Sequence, residues 1–467
     1  MKEPSAMLQS SGKGLSPGLT RVQERAKNKP KERFTSLAHY LTVERLRRSY
    51  RRLNKDSAVG VDGVSVAEYG EHLESRLIDL HKRLKAMTYR ATPVLRVYID
   101  KEDGSKRAIG IPTTEDKVVQ GAVVEILNAI YEEDFRDFSY GFRPGKGAHD
   151  ALRSLQTVLQ KGMVNWVIDA DISRFFDSID HKELMSVIKR RVVDARILRL
   201  IGKWLAAGAV EDDGRRIRGK QGTPQGGIIS PLLANIFLHT ILDEYVHAWR
   251  KTEGVGEVYI IGYADDFVIA AEYRRDAEGI LAALRSRFES FGLALHPEKT
   301  RIVKFGRRWM AEHRRGKGKP GTFNFLGFTH IAGRDRQGRY LVKRKTTSNR
   351  LRRAIKRTFQ EMKKMMHIPI RGQCVRLSHI LKGHFNYYGV RGNFDSLRRF
   401  HSAVLIGWYK VLRKRSQRNM RWRTFQRLLE LFPLPRPRIT HSEGWLSVNP
   451  GYLLGRAGCG KAARPVL

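Results

Sequence analysis

Hydrophobic residues recur along this chain in two patterns, one with a period of three to four residues and one with alternation. The first is typical of amphipathic helices and the second of half-buried strands. In the N-terminal part, the helical period predicts helices over residues 37–53, 66–84, 114–133 and 146–161. Alternation over 91–100 and 108–111, around the turn pair Asp103-Gly104, predicts a β-hairpin. Residues 1–32 are rich in Ser, Gly, Pro and Lys and lack a period, which predicts a mobile segment.

The same patterns continue through the middle of the chain and become helical towards its C-terminus. Strands are predicted at 166–171, around Asp212-Asp-Gly214, on both sides of Asp265-Asp266, near Arg301 and near Phe323, and helices at 181–207, 230–249, 275–292 and 396–415. After Thr346, one apolar helical stripe is flanked by Arg and Lys and consists of Leu351, Ile355, Phe359, Met362 and Met366. This mixture predicts an α+β fold in which helices back an antiparallel sheet, followed by a helical region.

The charge of the chain is strongly positive and unevenly distributed. It holds 88 Lys and Arg against 47 Asp and Glu, a formal net charge of +41. Residues 301–467 contain 40 of these cations and only 6 of the acidic residues, whereas residues 1–300 contain 48 and 41. Such an excess repels itself without a counter-charge, so it favours a nucleic acid partner. An anionic membrane surface is the alternative.

Other features restrict the class of protein. No apolar run approaches the ~18 residues of a spanning helix, and Met1 is not followed by the apolar core of a signal peptide. Only Cys374 and Cys459 are present, too few for a disulfide framework or a Cys-based zinc site. With 467 residues, 41% of them hydrophobic, the chain is long enough for two or three domains. We expect a cytoplasmic protein without a membrane partner.

Two adjacent carboxylates, Asp265 and Asp266, lie between apolar stretches rich in β-branched residues. This arrangement predicts a tight hairpin with the carboxylates at its tip. Like charges ~4 Å apart repel by roughly 4 kcal/mol at an effective dielectric constant of ~20, and a divalent cation removes that repulsion. Mg²⁺ binds carboxylates and leaves positions open for substrate phosphates, so the hairpin suits nucleotidyl transfer. A solvated Asp-Asp turn is the alternative.

A second acidic strand supports the metal site. Residues 166–171 form a short, mainly apolar run that ends in Asp171 and leads into an acidic and aromatic segment. Two-metal catalysis needs carboxylates from separate chain segments, which Asp171 provides together with the hairpin pair. Asp169, on the same strand face, and Asp177 are the alternative carboxylates in this region.

A series of motifs extends in order from about Arg33 to about His441. They are Gly60-Val-Asp-Gly63, Asp103-Gly-Ser-Lys-Arg-Ala-Ile-Gly-Ile-Pro-Thr113, Asp116-Lys-Val-Val-Gln120, Ser139-Tyr-Gly-Phe-Arg-Pro144, Ala148-His-Asp-Ala-Leu152, the Asp171 segment, Gly222-Thr-Pro-Gln-Gly-Gly227, Ser230-Pro-Leu-Leu-Ala-Asn235, Tyr263-Ala-Asp-Asp266, Gly292-Leu-Ala-Leu295 with Lys299-Thr300, and Phe325-Leu-Gly-Phe328. Through these motifs the chain resembles the reverse transcriptases encoded by bacterial group II introns, which also act as splicing maturases.

The resemblance implies a right-hand polymerase with fingers, a palm built on an antiparallel sheet, and an α-helical thumb. The implied organisation is a mobile segment at 1–32, fingers with an N-terminal extension at 33–165, the catalytic palm at 166–335, the thumb or maturase (X) domain at 346–415, and a basic segment at 416–467. The longest members continue into a zinc-bearing endonuclease, but only 26 residues follow His441. We therefore expect no endonuclease domain, and a primer from another source.

The resemblance also implies the catalytic residues. Asp171, Asp265 and Asp266 are the expected catalytic carboxylates, and together with Ile172 they are the expected metal ligands. Two Mg²⁺ ions are the expected cofactors, with Mn²⁺ as a substitute.

Four residues are expected to contact the nucleotide. Arg107 matches the fingers arginine that contacts the incoming triphosphate, and Lys101 is the candidate second cation; a solvated side chain is the alternative for both. Phe176 matches the bulky residue that rejects a ribose 2′-hydroxyl, with a core aromatic as the alternative. Gln225 lies in a glycine-rich turn, where the backbone can approach a nucleotide closely.

Contacts with RNA are expected in the C-terminal region. His384, Asn386, Tyr387 and Tyr388 resemble the thumb segment of the family, where exposed aromatic rings among cations can stack on bases. Packing of these rings within the thumb is the alternative. Arg413, Lys414 and Arg415 follow Trp408-Tyr409 and repeat the mixture of aromatic and cationic residues.

These features predict an RNA-directed DNA polymerase encoded by a group II intron, which binds the intron RNA to assist splicing and copies it into DNA during retrohoming. The expected partners are group II intron RNA, a DNA target and primer, and deoxynucleoside triphosphates. Two alternatives stay open: a reverse transcriptase of a non-intron system such as phage defence, and an RNA-binding maturase that acts only in splicing.

Overall fold

A computed structural model of the protein describes residues 16–100, 106–217, 219, 221–223, 225–316, 318–415 and 420–441. The helices are α1 (Pro17–Asn28), α2 (Val43–Arg51), α3 (Val66–Glu71), α4 (Leu73–Lys85), α5 (Thr114–Asp134), α6 (Ala148–Lys161), α7 (Phe175–Ser178), α8 (His181–Lys189), α9 (Ala195–Ala206), α10 (Ser230–Leu238), α11 (Glu244–Thr252), α12 (Arg274–Glu289), α13 (Arg307–Arg314), α14 (Ser348–Lys364), α15 (Ile370–Tyr388), α16 (Phe394–Arg413) and α17 (Trp422–Leu431). The strands are β1 (Val94–Asp100), β2 (Lys106–Ile111), β3 (Trp166–Asp171), β4 (Ala209–Val210), β5 (Arg216–Ile217), β6 (Val258–Tyr263), β7 (Asp266–Ala271), β8 (Arg301–Lys304), β9 (Thr322–Phe325), β10 (Phe328–Arg334) and β11 (Tyr340–Thr346).

Within these residues the strands form three sheets. The first has the order β2-β1-β4-β5, with β1 antiparallel to β2 and parallel to β4. The second, which carries the predicted carboxylates, has the order β6-β7-β3-β8. The third has the order β11-β10-β9 and is antiparallel throughout. The predicted mixture of helices and sheets in an α+β fold is confirmed.

The chain divides into two compact units. The first contains Met1–Leu155, Ala170–Ile269 and Arg274–Arg301, and the second contains Gln156–Asp169, Ala270–Tyr273 and Ile302–Leu467.

The core of the first unit is built around α5, which is buried on nearly every side. Its Val123 and Leu127 are fully buried, and α1, α2, α3 and α10 pack against it. The middle of this helix, residues 118–130, is mostly apolar on every side, which suits a helix in the middle of a domain. The buried Glu125 of this helix pairs with Arg45 at 3.1 Å and with Arg48, so its charge is compensated within the core.

The expectation of a mobile segment at 1–32 is wrong for residues 17–28, which form α1. Leu19, Val22 and Ala26 are buried on one face of this helix. At its C-terminal end, the Arg191 guanidinium donates to the carbonyl oxygens of Ala26 and Lys29, at 3.3 and 3.0 Å. Carbonyls at a helix end have no partner within the helix, so this distant arginine supplies what the local sequence lacks.

The core of the second unit is formed mainly by α14 to α17. The predicted stripe of α14 lies there, with Met362 buried and Leu351, Ile355, Phe359 and Met366 packed against the cluster. The buried Trp408 indole donates to Gln373 Oε1 at 2.8 Å, so its N–H is satisfied.

One buried residue links the sheet and the helices of this unit. The Asn393 side chain donates to Thr346 Oγ1 and to the Tyr388 carbonyl, each at 2.8 Å.

No helix in the described parts of the chain is long and apolar enough to cross a bilayer.

Candidate active site

The predicted carboxylate hairpin is formed by β6 and β7. These strands are consecutive in the chain, adjacent in the sheet and buried over most of their length. Ala264 and Asp265 connect them, and Ala264 adopts the left-handed conformation with φ 56°. Asp265 and Asp266 are half-buried, so the apolar strands present both carboxylates at one end of the sheet.

The hairpin turn is clamped by residues of two other motifs. The Tyr140 amide donates to the Gly262 carbonyl at 2.9 Å. Next to it, Gly141 lies against the turn so closely that a Cβ here would overlap the Ala264 amide nitrogen and lie 2.8 Å from the Tyr263 carbonyl carbon. Its carbonyl accepts a 2.6 Å hydrogen bond from Nδ2 of Asn235, which is buried on α10.

Asp171 lies at the end of β3, where its backbone is also fixed. The His296 amide donates to the Asp171 carbonyl at 2.7 Å, and Ile172 forms an antiparallel bridge with Leu295. The Lys299 ammonium lies 2.9 Å from Asp171 Oδ2, and both side chains are partly exposed. Exposed ion pairs contribute only about 0–1 kcal/mol, so a divalent cation can replace Lys299 at Asp171.

Asp265 experiences the charges of two other predicted residues. Burial raises the pKa of the Asp265 carboxyl, the negative charge of Asp171 raises this pKa further, and the positive charge of Arg107 lowers it. Arg107 is exposed on β2, opposite Ile99 of β1. The fold therefore brings Asp171 and Arg107 close enough to Asp265 to influence its pKa, although the three residues come from separate motifs.

The glycine-rich loop around Gln225 joins this group. The Gly110 amide of β2 donates to the Gln225 carbonyl at 2.6 Å. Gly226 has φ 121° and lies against Gly110, where a Cβ would come within 2.5 Å of the carbonyl oxygen. The Thr223 amide donates to the Phe176 carbonyl at 2.8 Å. This loop thus connects Phe176 to the strand that carries Arg107.

Phe176 itself is partly buried and contacts Phe175 edge to face, with 5.4 Å between ring centroids. Lys101, the predicted second cation, lies outside the described residues.

The carboxylates fit a divalent cation whose coordination is completed by the substrate. Among the described residues, no three His, Cys, Asp or Glu side chains form a preformed metal cage, and this includes Asp171, Asp265 and Asp266. Mg²⁺ does not need such a cage, because it is commonly bound through one or two carboxylates together with substrate phosphates and water. The mutual repulsion of Asp171 and Asp265 is the electrostatic conflict that a cation relieves.

The predicted RNA-stacking residues on α15 are packed within the second unit rather than freely exposed. The His384 ring stacks on Phe400 with 3.8 Å between centroids, and burial lowers its pKa to about 4. Tyr387 stacks on Phe328 at 5.9 Å and donates from its hydroxyl to the Leu326 carbonyl. Tyr388 also contacts Phe328, at 5.3 Å. All three rings thus pack against neighbours in the second unit and keep part of their surface exposed, and their contact with RNA stays a prediction.

Asn386 differs from these rings because its side chain is exposed. Arg413, Lys414 and Arg415 are exposed at the end of α16, and the Arg413 guanidinium lies 5.7 Å from the centroid of the Tyr409 ring. The exposed Trp422 contacts the same tyrosine edge to face. These residues form an exposed surface of basic and aromatic side chains, a composition typical of proteins that bind single-stranded nucleic acid.

Comparison with known proteins places the site in a family. The model of the reverse transcriptase (RNA-dependent DNA polymerase) family matches residues 99–330. Protein YkfC of Escherichia coli (strain K12) is 35% identical over 274 residues, which cover 52% of this chain and 71% of YkfC. Group II intron-encoded protein LtrA of Lactococcus lactis is 37% identical over 230 residues, which cover 49% of this chain and 38% of LtrA.

A plant protein shows a weaker similarity. Nuclear intron maturase 4 of Arabidopsis thaliana is 24% identical over 207 residues, which cover 44% of this chain and 24% of that protein. The segment matched by the family model contains Arg107, Asp171, Phe176, Gln225 and the hairpin. The chain therefore belongs to the reverse transcriptase family that includes the group II intron-encoded proteins.

Proposed function

We propose that this protein is an RNA-directed DNA polymerase encoded by a group II intron, which copies its intron RNA into DNA during retrohoming and binds that RNA to assist splicing. The observation that carries the proposal is the electrostatic opposition of Asp171 and Asp265 beside Arg107, inside the segment that matches the family. Because Asp171, Asp265 and Asp266 are all present, an active polymerase is favoured over a maturase that acts only in splicing.

In this reaction a primer 3′-hydroxyl loses its proton and attacks the α-phosphate of a deoxynucleoside triphosphate, which forms a phosphodiester bond, breaks the α–β anhydride bond and releases pyrophosphate. Asp171, Asp265 and Asp266, with the Ile172 carbonyl, would hold Mg²⁺, with Mn²⁺ as the expected substitute. The bound ion would supply activation of the hydroxyl and neutralisation of charge on the phosphates. Arg107 would bind and orient the triphosphate. The Lys299 ion pair would hold the Asp171 carboxylate in place until substrate arrives.

The organisation inferred from the resemblance is part of the proposal. We assign the hairpin of β1 and β2 to the fingers, the sheet containing β3, β6 and β7 to the palm, and helices α14 to α16 to the thumb. The basic surface around Arg413 would contact RNA phosphates. Partners of this kind match the charge excess of residues 301–467.

Phe176→Ala is expected to relax sugar selection by roughly 10- to 100-fold. The ring is held from one side by Phe175, and its backbone by Thr223, so truncation opens space without releasing the loop. The measurement is the ratio of ribonucleotide to deoxynucleotide incorporation during primer extension. Phe176→Tyr keeps the ring in place and should keep the parental ratio. An unchanged ratio in an active Phe176→Ala enzyme would show that Phe176 serves only the core.

Replacing Arg413, Lys414 and Arg415 with Gln should weaken RNA binding and flatten its salt dependence. Each phosphate contact with a single strand contributes a slope of about −0.7 in log K against log salt, so three contacts contribute about 2 units. Filter binding over a range of salt concentrations measures this slope. Neutralising the exposed Lys189 and Arg190 of the first unit is the charge control, with a smaller expected change. If both sets of substitutions weaken RNA binding equally, the basic surface around Arg413 has no special role in binding RNA.

The identity of the RNA distinguishes an intron-encoded enzyme from a polymerase of another system. RNA that copurifies with the expressed protein should be sequenced after expression with its native flanking sequence. Enrichment of the RNA that surrounds the reading frame is expected, because shape and loop contacts add to the charge attraction. If an unrelated RNA of equal length competes equally well at physiological salt, the maturase role is contradicted and a general polymerase remains.

A further inference from the structure

The first unit contains a cavity that the proposed reaction does not use. It has a volume of about 250 Å³. It lies between the 3₁₀ turn at Ala38–Tyr40, the C-terminal end of α4 and one side of α9. Its walls include the buried side chains of Leu41, Leu84, Leu200 and Tyr89. None of the active-site residues described above lines it.

The cavity carries positive charge without a counter-charge. Lys85, Arg196, Arg199 and Lys203 line it, and no acidic side chain does. None of these four forms an ion pair with a carboxylate in the described part of the chain; Lys203 donates instead to the Tyr89 and Met87 carbonyls. The neighbouring Arg83, by contrast, pairs with Asp79 and Glu115. An apolar cavity with unpaired cations fits a ligand that has an apolar body and negative charge.

A strained residue stands at this cavity. Met87 follows Ala86, the C-cap residue of α4, and has φ 59°, a conformation that usually selects Gly at a helix end. Its side chain is exposed and its sulfur lies 3.7 Å from the Arg199 guanidinium. Strain of this kind often accompanies ligand contacts. The long, polarisable side chain of Met87 is suited to cover a group that is bound in the cavity.

We propose that this cavity binds one unstacked nucleotide of a single-stranded RNA, with its base against Leu84, Leu200 and Met87 and the adjoining phosphates on Arg196 and Arg199. Single-stranded RNA is recognised through bases that leave the stack and enter pockets. Four cations exceed the charge of one phosphate group, which favours consecutive phosphates of a strand over a free nucleoside monophosphate. The inference extends the proposed function because it takes the RNA partner from it, but it needs no polymerase activity.

The experiment uses the full-length protein and a 12-nucleotide single-stranded RNA that carries one 4-thiouridine. After irradiation, crosslinked peptides are identified by mass spectrometry. In the wild type, crosslinks are expected on the peptide that contains Met87 and Tyr89. Ala38→Phe fills the cavity without changing the charge, and Arg196→Glu reverses one cation; each should lower this crosslink by roughly tenfold. Arg285→Glu makes the same charge change at an exposed site elsewhere in the first unit and should preserve it.

The outcomes separate this inference from the polymerase assignment, because primer extension is measured on the same preparations. Ala38→Phe should extend primers like the wild type. Absence of the crosslink from an active wild-type enzyme, or its persistence in Ala38→Phe, overturns the nucleotide cavity and leaves the polymerase intact. If adenosine monophosphate competes efficiently for the cavity and prevents the crosslink, the choice of an RNA strand as the ligand is overturned. A crosslink with the expected variant pattern in a protein that extends no primer supports the cavity and contradicts only the polymerase.

Discussion

Replacing Asp265 with Asn is expected to abolish DNA synthesis on an RNA template while RNA affinity stays near the wild-type value. The substitution keeps the shape of the side chain but removes the negative charge that opposes Asp171. Losing a metal ligand at the reacting phosphate costs about 4 kcal/mol of transition-state stabilisation, or roughly 10³-fold in rate. RNA affinity should persist, because the charge excess lies in residues 301–467. Primer extension and filter binding on one preparation measure the two effects.

The matched control is Asp177→Asn. Asp177 is an exposed carboxylate on α7, a few residues after Asp171, so it receives the same chemical change outside the proposed metal site. It should extend primers at nearly the wild-type rate. Extension by the Asp265 variant at the same rate as this control would remove Asp265 from the catalytic site.

The carboxylate hairpin could be predicted from sequence because its information is local. Apolar alternation gives β6 and β7, and the polar pair between them marks the turn. Two adjacent carboxylates then raise the question of what neutralises them. What the local pattern cannot contain is the support of that turn by Gly141 and Asn235, which come from distant positions in the chain. Both residues belong to motifs that the sequence shows, but the contact of Gly141 with Ala264 and the hydrogen bond from Asn235 to Gly141 are properties of the folded chain.

The same limit applies to Lys299 and to the aromatic residues of α15. Lys299 belongs to a recognised motif, yet its ion pair with Asp171 depends on the antiparallel bridge between Ile172 and Leu295. For Tyr387 and Tyr388, composition leaves stacking on RNA and packing on Phe328 equally open. An aromatic ring is suited to both environments, so only the fold decides between them.

The local sequence pattern does not predict a helix or strand whose stability comes from contacts with distant parts of the chain. The helix α1 has only three buried residues, Leu19, Val22 and Ala26, in a segment otherwise rich in polar residues, and it is stabilised by packing on α5 and by the Arg191 contacts. Strands β10 and β11 were not predicted, because residues 328–346 contain many charged and polar residues. Yet His330 and Arg344 of these strands are buried opposite one another. The predicted helix 66–84 is divided at His72, and 230–249 contains a π-helical turn at His239–Asp243.

Replacing Gly141 with Ala is expected to lower the rate of primer extension by roughly 100-fold without unfolding the protein. The new Cβ would overlap the Ala264 backbone nitrogen, so the turn that carries Asp265 must shift. A displacement of about 1 Å at a reacting centre is enough to cost on the order of 10²-fold in rate. Because the atoms nearest to the new Cβ belong to Tyr263 and Ala264 of the hairpin, the loss should appear mainly in kcat rather than in the KM for deoxynucleotide. Steady-state primer extension over a range of deoxynucleotide concentrations separates the two constants.

Two further variants test whether the turn itself is the cause. Gly262→Ala adds the same methyl group to β6 of the hairpin, but at a position where a Cβ meets no atom within 4 Å, and it should stay close to wild-type activity. Asn235→Ala removes the hydrogen bond to the Gly141 carbonyl without introducing a clash, so it should lower kcat in the same direction and by less. Thermal denaturation of all three proteins checks that they are folded. If the Gly141 and Gly262 variants lose activity equally, or the loss at Gly141 follows a loss of stability, the close contact with Ala264 does not position Asp265.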